Sequence, residues 1–161
     1  MRTCDAVGIQ ELYVVNSRIP RHKKWGRQSS SSAAKWLTVH QFSDIQECFT
    51  EVRKKYDKIW ATHLSSSSVD LYEINFTGKL ALVFGNEHSG VSEEILPLVD
   101  GNFIIPQVGI IRSLNISVAC AVTLYEAFRQ KTIAGHYNDR KLSETEYGVL
   151  WKDWSLKNRE Q

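Results

Sequence analysis

The sequence predicts an α/β domain: a mostly parallel sheet flanked by helices. Three observations lead there. Short apolar, β-branched runs alternate with amphipathic segments along the chain, which is the pattern of strands joined by crossover helices. Lys79–Phe84 is nearly all apolar rather than alternating, as a parallel strand covered on both faces requires. A long helical pattern from Ser117 to Lys131 follows a run that Pro106 stops. At 161 residues, 42% apolar and 24% charged, the chain can bury one hydrophobic core and is unlike disordered or fibrous proteins.

Taken in order, Leu12–Val15 reads as a strand and Trp36–Val39 as another. Ser43 to Gln46 has the form of a capping box, with Ile45, Phe49, Val52 and Tyr56 at helical spacing behind it. Lys58–Thr62, Lys79–Phe84 and Phe103–Pro106 are further strands. In the helix from Ser117 to Lys131, Val118, Val122 and Tyr125 share a face, with Ala121, Leu124 and Phe128 beside it. A second capping box, Ser143 to Glu146, opens a terminal helix over about 143–156. Its stripe of Tyr147, Leu150, Trp151 and Trp154 is either core or a dimer contact. The serine runs 29–32 and 65–68 read as surface connections.

No apolar run is long enough to span a bilayer, and the opening Met1–Asp5 lacks the apolar core of a signal peptide. Cys4, Cys48 and Cys120 have neither metal-like spacing nor the even count of a disulfide framework. A reducing cytoplasm and no metal are therefore expected. The net charge of +2 says little about partners. The cluster Arg18, Arg21, His22, Lys23, Lys24 and Arg27 says more: it is either a phosphate-contacting loop or a solvated surface loop.

Ligands of parallel α/β sheets bind beyond the carboxyl ends of the strands, which points at the segments after Thr62, Phe84 and Ile105. Gly85 to Ser92 carries two glycines around polar residues, so its backbone can approach a ligand closely. Its spacing matches neither dinucleotide nor phosphate loops, and an ordinary glycine turn has the same composition. Ile104 to Gly109 and Ile111 to Ser117 follow. In the latter, Ser113, Asn115 and Ser117 offer hydroxyl and amide groups at a helix start, suited either to an anion or to capping.

These segments, in this order, resemble the SpoU branch of the SPOUT methyltransferases, and within it the TrmH-like tRNA (guanosine-2′-O)-methyltransferases. The resemblance rests on GNEHSGVSEEIL and IPQVGIIRSLNISVACAVTLYEAFRQ within residues 81–131, on Arg2–Gly8, and on Ala134–Tyr137. It covers nearly the whole chain and implies one domain over 1–161, with a deep trefoil knot over about 80–131. The family's first motif has an asparagine six residues before the arginine matched by Arg2. The resemblance therefore implies a domain lacking the family's N-terminal strand and helix.

The resemblance further implies S-adenosyl-L-methionine as methyl donor, S-adenosyl-L-homocysteine as product, and RNA, foremost tRNA, as substrate. It implies a homodimer with sites formed between subunits. The donor would contact Thr62, Gly85, Asn86, Ile105, Pro106 and Leu114. Arg2 would be catalytic, with Glu87, Asn115 and Ser113 orienting the site. Arg129, Lys131, Arg21, Lys23 and Lys24 would meet RNA. A guanidinium rarely releases its proton, so Arg2 suits phosphate binding and alkoxide stabilisation better than general-base work. Three alternatives stay open: a ribosomal RNA methyltransferase of the same branch, an inactive RNA- or cofactor-binding module, and a flavodoxin-like small-molecule binder.

Overall fold

A computed structural model describes residues 1–15, 33–86, 89–111 and 113–159. The chain forms α1 (Arg2–Ala6), β1 (Glu11–Val15), β2 (Thr38–Phe42), α2 (Ile45–Arg53), β3 (Lys58–Thr62), β4 (Val69–Asp70), β5 (Leu80–Val83), β6 (Gly101–Ile104), α3 (Ile116–Ile133) and α4 (Glu144–Arg159). Short 3-10 turns cover Ala33–Lys35, Leu71–Glu73 and Leu96–Leu98. The strands form two sheets, β1-β2 and β4-β6-β3-β5, and every pairing is parallel. The expected mostly parallel architecture is therefore present.

The two sheets share one layer. Leu12 of β1, Val39 of β2 and Leu82 of β5 pack against the cluster of Cys4, Val7, Leu37 and Leu124, beneath α1 and α3. On the opposite face, Tyr13, Val15, Phe42, Ala81 and Val83 pack against Cys48, Phe49 and Val52 of α2 together with Ile59. A third cluster, Leu71, Ile74, Phe76, Phe103 and Ala127, fills the space below the C-terminal half of α3. Successive residues of β5 thus serve opposite faces, the two-sided burial expected of that run.

Several boundaries differ from the sequence expectation. Trp36 and Leu37 precede β2 rather than belonging to it: Leu37 is buried against α1 and α3, and Trp36 meets Trp154 edge-on at 5.7 Å. The N-cap of α2 is Asp44, not Ser43, and its carboxylate accepts from the Glu47 N–H at 2.8 Å. A carboxylate also favours the positive end of the helix dipole, which a hydroxyl does not. Tyr56 lies beyond the end of α2. Val118 and Tyr125, expected on the core face of α3, are exposed, while Thr123, Leu124, Glu126 and Ala127 are buried. Thr123 is accommodated because its hydroxyl donates to the Ala119 carbonyl at 2.8 Å. Glu126 is accommodated by a two-pronged pairing with Arg129, both contacts 2.8 Å.

Gln130 closes the third cluster. Its carbonyl accepts from the Phe76 N–H at 2.9 Å, and its amide donates to the Ile74 carbonyl at 2.9 Å and to Glu126 at 2.8 Å. Phe76 is 1% exposed, so Gln130→Ala strands a buried N–H. The expected cost is about 2 kcal/mol, seen as a melting temperature lower by about 5 °C. A variant within 1 °C of wild type would show that water replaces the clamp.

Candidate functional site

The sheet order places β3 between β6 and β5, so Thr62, Gly85 and Ile105 emerge at one carboxyl edge. Ala61 pairs with Val83 and Thr62 with Phe103. The Thr62 hydroxyl reaches the Val83 carbonyl at 3.4 Å, and the His63 N–H donates to the Phe103 carbonyl at 3.2 Å.

After β5 the chain makes a tight turn. Asn86 and Gly90 exchange backbone hydrogen bonds of 3.0 Å each. The Asn86 side chain accepts from the Ser89 N–H at 2.8 Å and donates to the Ser89 hydroxyl at 2.7 Å. Gly85 lies against the returning strand of this turn: a Cβ there would sit 1.9 Å from the Gly90 carbonyl carbon. The glycine is required for close backbone approach, and Gly90 is required for its φ of +65°.

Helices α1 and α3 reach the same edge. At its C-terminal end α3 is tied to the segment entering β5: Gln130 to Ile74 and Phe76, and the Lys131 ammonium to the Gly78 carbonyl at 3.1 Å. Its N-terminus therefore lies at the carboxyl edge, bringing Ser113, Leu114 and Asn115 there. Asn115 caps α3, accepting from the Ser117 N–H at 2.9 Å and the Ser117 hydroxyl at 2.7 Å. On α1, Cys4 packs with Cys120, and Val7 shares a cluster with Leu124. The two helices thus run side by side in the same direction, placing Arg2 beside the first turns of α3.

The Cys4–Cys120 contact was not visible in the sequence, where these two of the three cysteines stand far apart. The neighbouring Cys120 thiol lowers the Cys4 thiol against the opposing effect of burial, and the same neighbourhood with burial raises Cys120.

The structure thus brings Arg2, Thr62, Gly85, Asn86, Ile105, Pro106, Ser113, Leu114 and Asn115 to one edge. Arg129 and Lys131 stand apart from it. Arg129 is about 21 Å along α3 from Asn115 at 1.5 Å per residue, and its guanidinium is forked onto Glu126. Burial lowers the Lys131 ammonium. Glu87, Arg21, Lys23 and Lys24 lie outside the described residues.

Among the described residues, the loops after β3, β5 and β6 offer a threonine hydroxyl, glycine backbone, and the Ile105, Pro106 and Leu114 side chains. Val108, Ile110 and Ile111 of the adjoining loop are largely exposed. Such a surface selects a partly apolar ligand by shape with a few polar contacts.

Comparison with known proteins agrees with this fold. Residues 1–125 match the SpoU rRNA Methylase family. The chain is 38% identical to the tRNA (guanosine(18)-2′-O)-methyltransferase of Thermus thermophilus, covering 98% of this chain and 80% of that protein. It superposes on the crystal structure of the A. aeolicus TrmH/SpoU tRNA modifying enzyme with a TM-score of 0.88 at 36% identity, covering 98% of this chain and 79% of that one. The SpoU methyltransferase AviRb from Streptomyces viridochromogenes, solved in complex with the cofactor AdoMet, superposes with a TM-score of 0.67 at 27% identity, over 81% of this chain and 53% of that one. With its parallel sheets, its glycine turn after β5 and its helix-start segment after β6, this chain belongs to the SpoU methylase family.

Proposed function

We propose that the protein transfers the methyl group of S-adenosyl-L-methionine to a ribose 2′-hydroxyl of RNA, a tRNA guanosine, leaving S-adenosyl-L-homocysteine. The observation that carries this reading is the gathering of Arg2, Thr62, Gly85, Ile105 and Asn115 at one sheet edge, in a chain whose relatives, matched over 98% of its length, are named for that reaction.

The residues present fit the donor. Gly85 has no room for a side chain, and its backbone would line the pocket floor. Thr62, Ile105, Pro106 and Leu114 would flank the adenine and methionine parts without placing a charge against them, and Asn86 would hold the turn. When bound, the donor supplies a methyl on a sulfonium that carries its own leaving group. The chain's task is to align the ribose hydroxyl, exclude water and stabilise the alkoxide as its proton leaves. Arg2 would hold the adjacent phosphate and face the developing negative charge. Asn115 and Ser113 would position Arg2 or the ribose, and Glu87 would orient the site.

Arg21, Lys23, Lys24, Arg129 and Lys131 would contact the RNA backbone, Arg129 from the far end of α3. The exposed Val108, Ile110, Ile111 and Val118 surround the site edge, which supports a homodimer in which a second copy covers them. A trefoil knot over about 80–131 and a cytoplasmic location complete the reading.

Mass-spectrometric mapping of ribose methylation in RNA from cells lacking the protein tests it. Loss of one tRNA guanosine methyl is expected; loss confined to ribosomal RNA would overturn the tRNA assignment. Arg2→Ala should keep donor affinity and lose turnover by about 100-fold or more. Equal loss of both would remove Arg2 from the reaction.

A further inference from the structure

We propose that Tyr137 is a positioning residue for Arg2, its hydroxyl setting the pose of the short helix that carries the guanidinium. The inference rests on the role of Arg2 given above.

α1 has five residues, too few to be stable without tertiary support. Its buried face is held by Cys4 and Val7 against Leu124 and Cys120. Its C-terminal end is held from elsewhere. The Tyr137 hydroxyl donates to the Val7 carbonyl at 3.3 Å, across 130 residues of sequence. The ring leans on Phe128, centroids 5.1 Å apart, and its edge lies 3.7 Å from where a Cβ on Gly8 would stand.

Two left-handed glycines make this meeting possible. Gly8, φ +76°, ends α1 while the Ile9 N–H returns to the Cys4 carbonyl at 2.9 Å. Gly135, φ +75°, ends α3 while the His136 N–H returns to the Lys131 carbonyl at 2.9 Å. Each reversal uses a backbone conformation that costs other residues energy. The second reversal turns the chain back so that Tyr137 crosses Phe128 onto the end of α1. Burial pushes the Tyr137 phenol up, which keeps it a donor.

The Val7 carbonyl lies about 8 Å along the helix axis from Arg2, and the arginine side chain extends the lever. A tilt of a few degrees at the Val7 end displaces the guanidinium by about 1 Å, enough to cost up to about 100-fold in rate. The thiol and apolar contacts of Cys4 and Val7 fix depth but are not directional. The Tyr137 hydrogen bond is.

Tyr137→Phe keeps the ring and removes the bond. Methyl transfer to tRNA should fall about tenfold in kcat, with the KM values for S-adenosyl-L-methionine and tRNA within twofold of wild type and melting within about 2 °C. In an Arg2→Ala background, Tyr137→Phe should cause no further loss of single-turnover rate. An equal further loss in that background, or donor affinity falling in step with kcat, would overturn the inference alone. Wild-type turnover by Arg2→Ala would overturn the reading of the site, and this inference with it.

Discussion

Gly85→Ala should abolish donor binding and sharply lower stability. An alanine Cβ at this position would meet the Gly90 carbonyl carbon at 1.9 Å, its oxygen at 2.1 Å and the Val91 nitrogen at 2.2 Å. All three are backbone atoms, so no side chain can rotate away. The turn must open, breaking the paired bonds between Asn86 and Gly90 and withdrawing Val91, 6% exposed, from the core. Overpacking against backbone belongs with the largest single-residue effects, about 4 kcal/mol or more. Isothermal titration with S-adenosyl-L-methionine should show affinity reduced beyond about 100-fold, since 1.4 kcal/mol is tenfold. Gly90→Ala is the informative contrast. Nothing lies within 4 Å of its Cβ position, and only its φ of +65° opposes the substitution, at about 1 to 2 kcal/mol. Its binding should fall far less. Equal effects of the two alanines would mean that flexibility, not close approach, is what the turn needs.

That turn shows how far the sequence could be read. The rule that ligands sit beyond the carboxyl ends of parallel strands located the segments after Thr62, Phe84 and Ile105, because it needs only strand order and direction. Local hydrogen-bond signals read equally well. Ser143 and Glu146 form the expected reciprocal cap, the serine hydroxyl accepting from the Glu146 N–H at 3.2 Å and the carboxylate from the Ser143 N–H at 2.9 Å. The buried face of α3 was only partly legible: Val122, Leu124 and Phe128 pack inward as expected, and Val118 and Tyr125 do not. Periodicity ranks Val118 and Tyr125 above Thr123 and Glu126 by hydrophobicity alone, whereas packing against both α1 and the sheet decides which face is covered. Polar residues within that buried sector satisfy themselves through bonds to their own helix. Contacts such as Tyr137 to Val7 and Cys4 to Cys120 leave no local trace, since neither residue's neighbours in sequence reveal its partner. Arg2 and Asn115 lie more than a hundred residues apart in the sequence, and it is the parallel course of α1 and α3 that brings them to one edge.

Glu11→Ala should be strongly destabilising although it lies away from the site, by about 2 to 3 kcal/mol at neutral pH. The Glu11 carboxylate, 23% exposed, accepts from the Lys55 ammonium at 2.5 Å, His40 Nε2 at 3.2 Å, and the Tyr13 and Tyr56 hydroxyls at 3.2 and 3.3 Å. One side chain thus joins β1, β2 and the turn after α2. Lys55 is half exposed, so its share is that of a surface pair, under about 1 kcal/mol. The larger part comes from the two tyrosines and His40, which lose their acceptor together. Burial opposes ionisation of Glu11, but hydrogen bonds from Lys55 and His40 outweigh it and hold the carboxyl below its ordinary value. Its contribution is therefore fully present above the unfolded value of about 4.3 and disappears as pH falls through the lowered folded value. The raised ammonium of Lys55 gives the mirror behaviour: its contribution is complete below about 10.4 and lost as pH rises through the folded value. Urea unfolding of wild type and Glu11→Gln at several pH values should give a stability difference that is flat from about pH 5 to 9 and shrinks in acid. A difference that grows in acid, or is absent at neutral pH, would mean that the carboxylate is a spectator and that the apolar packing of Tyr13, Phe42 and Tyr56 alone holds the two-stranded sheet to α2.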